Sequence, residues 1–168
     1  MNYYEIGTKS TIAKELYDYA FNPQPWFPYY NFSAKPIPPD IVAQDKFFRW
    51  LHARYEFLVG VLRLDPYVCY DWHTDTRRGV GINMLLTPQA RSICAFADNT
   101  DDAVFKIEEL KYKPNTYYIF NTQTAHTVYN FETTRYLMSV EFAKDRDDLS
   151  FDQLMQDIKD NYEKDRTK

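Results

Sequence analysis

The sequence predicts a mainly β domain, an all-β sandwich or barrel with helices confined to its two ends. Three observations carry this. Aromatic residues make up 18% of the chain, with 15 Tyr and 12 Phe, a content that favours sheets and large packing units. About seven or eight short apolar or alternating runs follow one another between turn signals in the middle of the chain, at the spacing of closed or packed sheets. Helical periodicity is confined to the stretches on either side. A length of 168 residues suits one domain with one sizeable core. That domain divides into an N-terminal helical and aromatic segment (1–56), a β core (57–142) and a C-terminal helix (143–168).

Ser10 is placed to cap a helix over residues 11–21, with Ile12, Leu16 and Tyr19 or Ala20 on one face. Pro23, Pro25 and Pro28 stop it. The aromatic run from Trp26 to Phe32 reads as irregular packing at the core edge, with Trp26, Tyr29 and Tyr30 as candidates for a lid. Pro36, Pro38 and Pro39 make a second break, and Asp40 reads as the N-cap of a helix over residues 41–56. His52, inside that helix, reads as structural or solvated.

Strands are expected at 57–64, 67–73, 80–86, 92–96, 116–121, 126–131 and 135–142, with a short extended piece at 103–107. Turns fall at Asp65-Pro66, in the polar loop 74–79, at the acidic stretch 98–102 and at Lys113-Pro114-Asn115. Ser150 and Gln153 form a capping box for the last helix, whose apolar face is Phe151, Leu154, Met155 and Ile158. Residues 161–168 are charged and expected to fray.

A net charge of −4 argues against broad nucleic-acid binding, so no nucleic-acid partner is expected. The two cysteines, Cys69 and Cys94, lack C-x-x-C spacing and read as buried thiols of a cytoplasmic protein. The first residues carry no basic and apolar leader, and no run is apolar and long enough to cross a membrane, so no membrane association is expected.

The chemistry converges on three residues. His73 and Asp75 are two apart, so an extended backbone points them the same way. An imidazole beside a carboxylate is two-thirds of a facial iron site, and a second histidine would complete it. Of the other two histidines, His126 follows a strong strand across a short polar turn and opens the next strand. Two nitrogens and one oxygen leave three adjacent positions open on an octahedral iron, which suits O₂ and a chelating co-substrate; zinc is the rival metal. Arg135, nine residues after His126, shares a strand face with Leu137 and Ser139, while Tyr136, Met138, Val140 and Phe142 form the apolar face. A guanidinium facing into a barrel needs a partner, and a bound dicarboxylate would be one; Glu132 or Glu141 would be another.

His73-x-Asp75, the later His126 and Arg135 resemble the signature of Fe(II)/2-oxoglutarate-dependent oxygenases. Leu62-Arg63-Leu64, Trp72 to Asp75, Tyr117 to Asn121, Asn130 and the Arg135 strand resemble its aspartyl/asparaginyl β-hydroxylase-like branch, which includes free-proline hydroxylases. The resemblance covers residues 58–142, half of the chain. It implies a double-stranded β-helix, or jelly-roll, core with helices packed at the N-terminal side. It implies that His73, Asp75 and His126 hold Fe(II), that 2-oxoglutarate chelates the metal while Arg135 binds its far carboxylate, and that O₂ is consumed. The implied reaction hydroxylates a C–H bond of a small molecule or peptide, an amino-acid side chain, and releases succinate and CO₂. The animal peptide hydroxylases of this branch lack the carboxylate that Asp75 supplies, so the chain resembles the bacterial, small-substrate members more closely.

Further candidates surround this set. Asn83 points away from Ile82 and Met84 and could meet the co-substrate, and Tyr70 or Trp72 could wall the site. Arg77 and Arg78, directly after the metal motif, are candidates for a substrate carboxylate. The alternatives are a cupin-like metal enzyme that does not use 2-oxoglutarate and a non-catalytic jelly-roll binding module.

Overall fold

Side-chain alternation along eleven strands builds the molecule among the residues that the computed structural model describes, 1–98 and 106–164. The strands are β1 (Tyr3–Lys9), β2 (Phe27–Tyr29), β3 (Phe32–Pro36), β4 (Phe57–Leu64), β5 (Cys69–His73), β6 (Val80–Leu85), β7 (Ser92–Asp98), β8 (Lys106–Glu109), β9 (Thr116–Asn121), β10 (Ala125–Asn130) and β11 (Arg135–Phe142). They form a seven-stranded sheet, β1-β9-β6-β11-β4-β3-β2, and a four-stranded sheet, β5-β10-β7-β8, with every pairing antiparallel. This is a jelly-roll core, as expected. Asp98, expected in a turn, ends β7; the rest of the acidic turn, 99–102, and most of the extended piece at 103–107 lie outside the described residues, as does the end of the charged tail.

Strand β9 shows why two cores exist. Tyr117 and Ile119 point into a cluster with the helices, while Tyr118 and Phe120 point between the sheets toward Phe96, Val128 and Leu64. With a period of two, a run apolar at every position is buried on both faces. Strand β11 divides its faces by chemistry. Met138, Val140 and Phe142 join the helical side, and Arg135, Leu137 and Ser139 line the cavity between the sheets.

The helices are α1 (Ala13–Tyr19), α2 (Pro39–Val42), α3 (Lys46–His52) and α4 (Phe151–Asp157), the last continuing as a π-helical turn over Ile158–Glu163. Leu16, Phe47, Phe48, Leu51, Leu154 and Ile158 are fully buried against the large sheet. No helix among the described residues is long and apolar enough to cross a membrane.

Several local expectations are corrected. The helix over 41–56 is two helices, and the cap is Asp45 rather than Asp40: its Oδ1 accepts the Phe47 N–H at 2.8 Å. A short acidic side chain that satisfies a backbone N–H ahead of a helix competes with helix continuation. Its Oδ2 also accepts from the Thr11 N–H (2.9 Å) and hydroxyl (3.1 Å) and from the Tyr117 hydroxyl (3.0 Å). Asp45→Ala should therefore lose a cap and the Thr11 and Tyr117 bonds together, at about 3 kcal/mol; urea unfolding with an unchanged m-value checks this. Ser10 does not cap α1, which starts at Ala13 with no side-chain cap; its oxygen accepts from the Ile12 N–H, and its hydroxyl bonds that of Tyr117, leaving the Tyr117 proton for Asp45.

The segment before residue 57 is not only helical and aromatic. It supplies β1, β2 and β3 to the large sheet, and β2 and β3 form a hairpin whose tip holds Tyr30 at φ 51°. Proline at Pro28 is tolerated because β2 is an edge strand. Of the two cysteines only Cys94 is buried; Cys69 is exposed. The C-terminal segment does not fray at Asn161: Glu163 accepts from the Gly7 N–H at 2.6 Å and the Tyr4 hydroxyl at 2.8 Å. At Gly79 a Cβ would stand 2.4 Å from the Leu149 carbonyl oxygen and 2.6 Å from that of Arg146. Only glycine lets the loop after Asp75 pass beneath the segment leading to α4.

Candidate metal centre

Strands β5 and β10 are antiparallel neighbours, and their register sets His126 directly opposite His73. The two rings lie 4.2 Å apart between centroids. Strand β5 ends at His73, so Asp75 lies in the following loop rather than on an extended run. That loop is held by the β9–β10 turn. The Asp75 N–H donates to the Thr122 carbonyl at 2.9 Å, and the Gln123 side-chain amide donates to the carbonyls of Asp75 (2.9 Å) and Arg78 (2.7 Å).

The result brings three ligand atoms together. Asp75 Oδ1 lies 3.7 Å from His73 Nε2 and 3.9 Å from His126 Nε2, beyond hydrogen-bond reach, and the ligand atoms of all three residues fall within 4.8 Å of one another. Each ring is oriented from behind: Nδ1 of His73 lies 2.6 Å from the Asp71 carbonyl oxygen and Nδ1 of His126 2.9 Å from that of Thr124. A proton on each Nδ1 then leaves both Nε2 lone pairs for a metal. Arg78 takes the other carboxylate oxygen, with Nε at 2.8 Å and Nη2 at 2.7 Å from Asp75 Oδ2. Burial works against the Arg78 charge, yet Asp75 above all raises its pKa on balance. The donor set fits a divalent metal of the iron or zinc kind.

Burial pushes the His126 pKa down to about 4; the bond to Thr124 opposes this and neighbouring His73 adds to it. The unfolded chain protonates such a ring near pH 6.5, so the stability gained by burying it neutral is full above that pH and is lost as pH falls to about 4, roughly 3 kcal/mol in all. Urea midpoints of the metal-free protein should fall across that window, and His126→Gln should flatten the slope.

Behind the triad, a narrow cavity of about 50 Å³ reaches Arg135. Arg135 is 1% exposed, and its Nε and Nη1 have no hydrogen-bond partner among the described residues. Neither expected surface partner reaches it. Glu132 pairs with Arg91 at 3.2 Å, and Glu141 accepts the Tyr29 hydroxyl at 3.1 Å. Asn83 and Tyr112 share this lining; the Tyr112 hydroxyl is set against Asn83 and Cys94, and its ring lies 5.7 Å from the guanidinium. Burial raises the pKa of Cys94 to about 11 and that of Tyr112 well above its ordinary value, so both stay neutral. A buried, unpaired guanidinium among neutral groups is costly without an anion.

The other candidates separate. Tyr70 lines the cavity and lies on the His73 ring at 3.8 Å between centroids, with Phe32 and Tyr30 at its other sides. Arg78, expected at a substrate, is committed to Asp75. Arg77 is exposed and outside the cavity lining, as is Trp72. Of the lid candidates, Tyr30 reaches the site through Tyr70, whereas Trp26 packs against Tyr136 and under the cations of Lys35 and Arg63. His52 packs on Phe57, and Asn130 ties β10 to the carbonyls of Leu64, Asp65 and Thr133. Sequence reasoning missed Tyr112, which lies outside any periodic run. It also missed the Arg78 bond, whose one signal is the three-residue spacing from Asp75.

The sequence itself matches no family model and no curated protein. Solved structures do resemble the fold. A Pseudomonas putida prolyl-4-hydroxylase superposes with a TM-score of 0.60 at 14% identity, over 85% of this chain and 92% of that one. A Trichoplax adhaerens prolyl hydroxylase, solved with a hypoxia inducible factor peptide fragment, gives 0.62 at 12% identity over 83% and 81%. A Burkholderia pseudomallei oxidoreductase of the 2OG-Fe(II) oxygenase family gives 0.55 at 11% identity over 79% and 77%. The chain thus shares its jelly-roll fold with these solved structures.

Proposed function

We propose that this protein is an Fe(II)- and 2-oxoglutarate-dependent oxygenase that hydroxylates a C–H bond of an amino acid or peptide side chain. The observation that carries the reading is Arg135. Its unpartnered guanidinium closes the same cavity that His73 and His126 open. In this reading the two histidines present Nε2 and Asp75 presents Oδ1 to the iron, while Arg78 occupies Oδ2 and limits the carboxylate to one oxygen. Arg135, with Asn83 and Tyr112, receives the far carboxylate of 2-oxoglutarate. Phe120, Val128 and Leu137 line the path and keep water from it. Bound iron with 2-oxoglutarate and O₂ supplies the oxidising power, and succinate and CO₂ leave. Asp75 agrees with the carboxylate-bearing, proline hydroxylase-like members of the aspartyl/asparaginyl branch.

Titrating 2-oxoglutarate into the anaerobic Fe(II) protein tests this. A visible absorption band, followed in air by succinate release, is the expected result. Metal uptake without the band would favour a cupin-like enzyme that does not use 2-oxoglutarate, and absence of any bound divalent metal would favour a binding module.

A further inference from the structure

The metal cavity adjoins a second, much larger space. A groove of about 910 Å³ runs from Arg78, Ser139 and Glu141 over the inner face of β4 toward β2, β3 and α3. Leu62, Arg78 and Ser139 line both spaces, and Arg78 holds Asp75, so one end of the groove lies beside the metal centre. Its walls are mainly apolar, and two large apolar side chains stand exposed on its lining, Phe27 at 53% and Leu58 at 77%. Exposed apolar side chains of this size around a cleft mark a surface that meets another molecule. Of the charged groups in the lining, Arg78 is committed to Asp75 and Lys35 to Ala20 and Asn22, which leaves Glu141, accepting from the Tyr29 hydroxyl, at the metal end and Arg49 with His52 on α3. Arg49 Nη1 donates to the Ala43 and Gln44 carbonyls, and neither Arg49 nor His52 pairs with a carboxylate among the described residues.

We propose that the substrate is a segment of a protein rather than a free amino acid: an extended stretch with apolar side chains, lying along Leu62, Leu58 and Phe27, with an acidic residue against Arg49 and His52. The proposal rests on the oxygenase reading above. Volume favours a longer occupant, because the groove has the capacity of a drug-sized ligand and a free amino acid would leave most of it to water. Openness favours a polypeptide over an enclosed small molecule, since small-ligand sites bury most of their ligand whereas Leu58 and Phe27 stand out in solvent. Charge supplies the polarity. The acidic end of the segment meets the Arg49 guanidinium and the His52 ring on α3, and Glu141 with Ser139 is left to accept or share N–H groups near the reacting residue.

The test uses fluorescein-labelled, end-capped decapeptides of leucine, proline and alanine that carry two aspartates, two lysines or two serines at one end. Binding is read by anisotropy. The aspartate peptide should bind about tenfold or more tightly than the lysine peptide. Arg49→Glu should reverse that order, and Leu58→Glu should weaken all three. Both sites are exposed, so the fold tolerates the changes. Binding that neither variant alters, no peptide binding at all, or dodecanoate binding where peptides do not, overturns the proposal. The visible band with 2-oxoglutarate, recorded on wild-type protein without peptide, reports on the oxygenase reading alone. A band without peptide binding ends the groove proposal and leaves that reading standing, whereas absence of the band ends the reading itself.

Discussion

Replacing His126 with alanine should remove both metal retention and succinate formation, the latter by about a thousandfold or more, equivalent to roughly 4 kcal/mol of barrier. The ring sits at 5% exposure, with Phe120 and Phe96 rings at 4.9 and 6.1 Å between centroids, and its Nε2 points toward Asp75 rather than solvent. Without it a cation keeps one nitrogen and one oxygen, too few to compete with water. The fold should survive, because β10 pairs with β7 through six register positions from Ala125 to Asn130. His52→Ala is the control, since that ring lies on Phe57 away from the triad. Metal content after gel filtration, together with a succinate assay, decides the matter. Equal values for His126→Ala and wild type would falsify the metal assignment.

Arg135→Met should act in two opposite directions. In ligand-free protein the guanidinium is a buried charge with two unsatisfied nitrogens. An apolar side chain of similar length removes that cost and should stabilise the fold by about 1–4 kcal/mol, or roughly 2–4 °C in Tm for each kcal/mol at this size. The same change deletes two charge-assisted bonds to a carboxylate, each worth about 1.5–3 kcal/mol, so 2-oxoglutarate affinity should fall about a hundredfold or more. A merely structural arginine would give the reverse pattern, lower stability with intact affinity. Thermal unfolding without ligand and a 2-oxoglutarate titration of the iron-loaded protein read the two halves separately. On the oxygenase reading, Arg135 would trade stability for function.

The core strands were legible because burial leaves a mark on sequence. Strands β4, β9 and β11 are long apolar or alternating runs, and their bounds follow the pattern closely. The N-terminal strands were not legible. Strand β1 shows only Ile6 and Thr8 as its buried alternation, and β2 contains a proline that only an edge position permits. The break between α2 and α3 depends on Asp45 meeting Thr11 and Tyr117, contacts no local window contains. In the site, His73 and His126 stood out because the chain has only three histidines. Arg135 stood out because a charge faced inward from an apolar strand. Asn83 was legible because it points away from Ile82 and Met84, whereas Tyr112 gains meaning only from its place in the folded cavity.

The two histidines are aimed by the same local device. Each Nδ1 meets the carbonyl oxygen of the residue two positions earlier, Asp71 for His73 and Thr124 for His126. Ring orientation is therefore written into main-chain atoms, which survive almost any side-chain replacement. Drift at Asp71 or Thr124 would leave the imidazole tautomers untouched, so this centre is insulated from mutation on its nitrogen side. On its oxygen side it is exposed, because the Asp75 carboxylate is steered by the side chain of Arg78. Among these contacts, the one side chain that steers a member of the triad lies at residue 78.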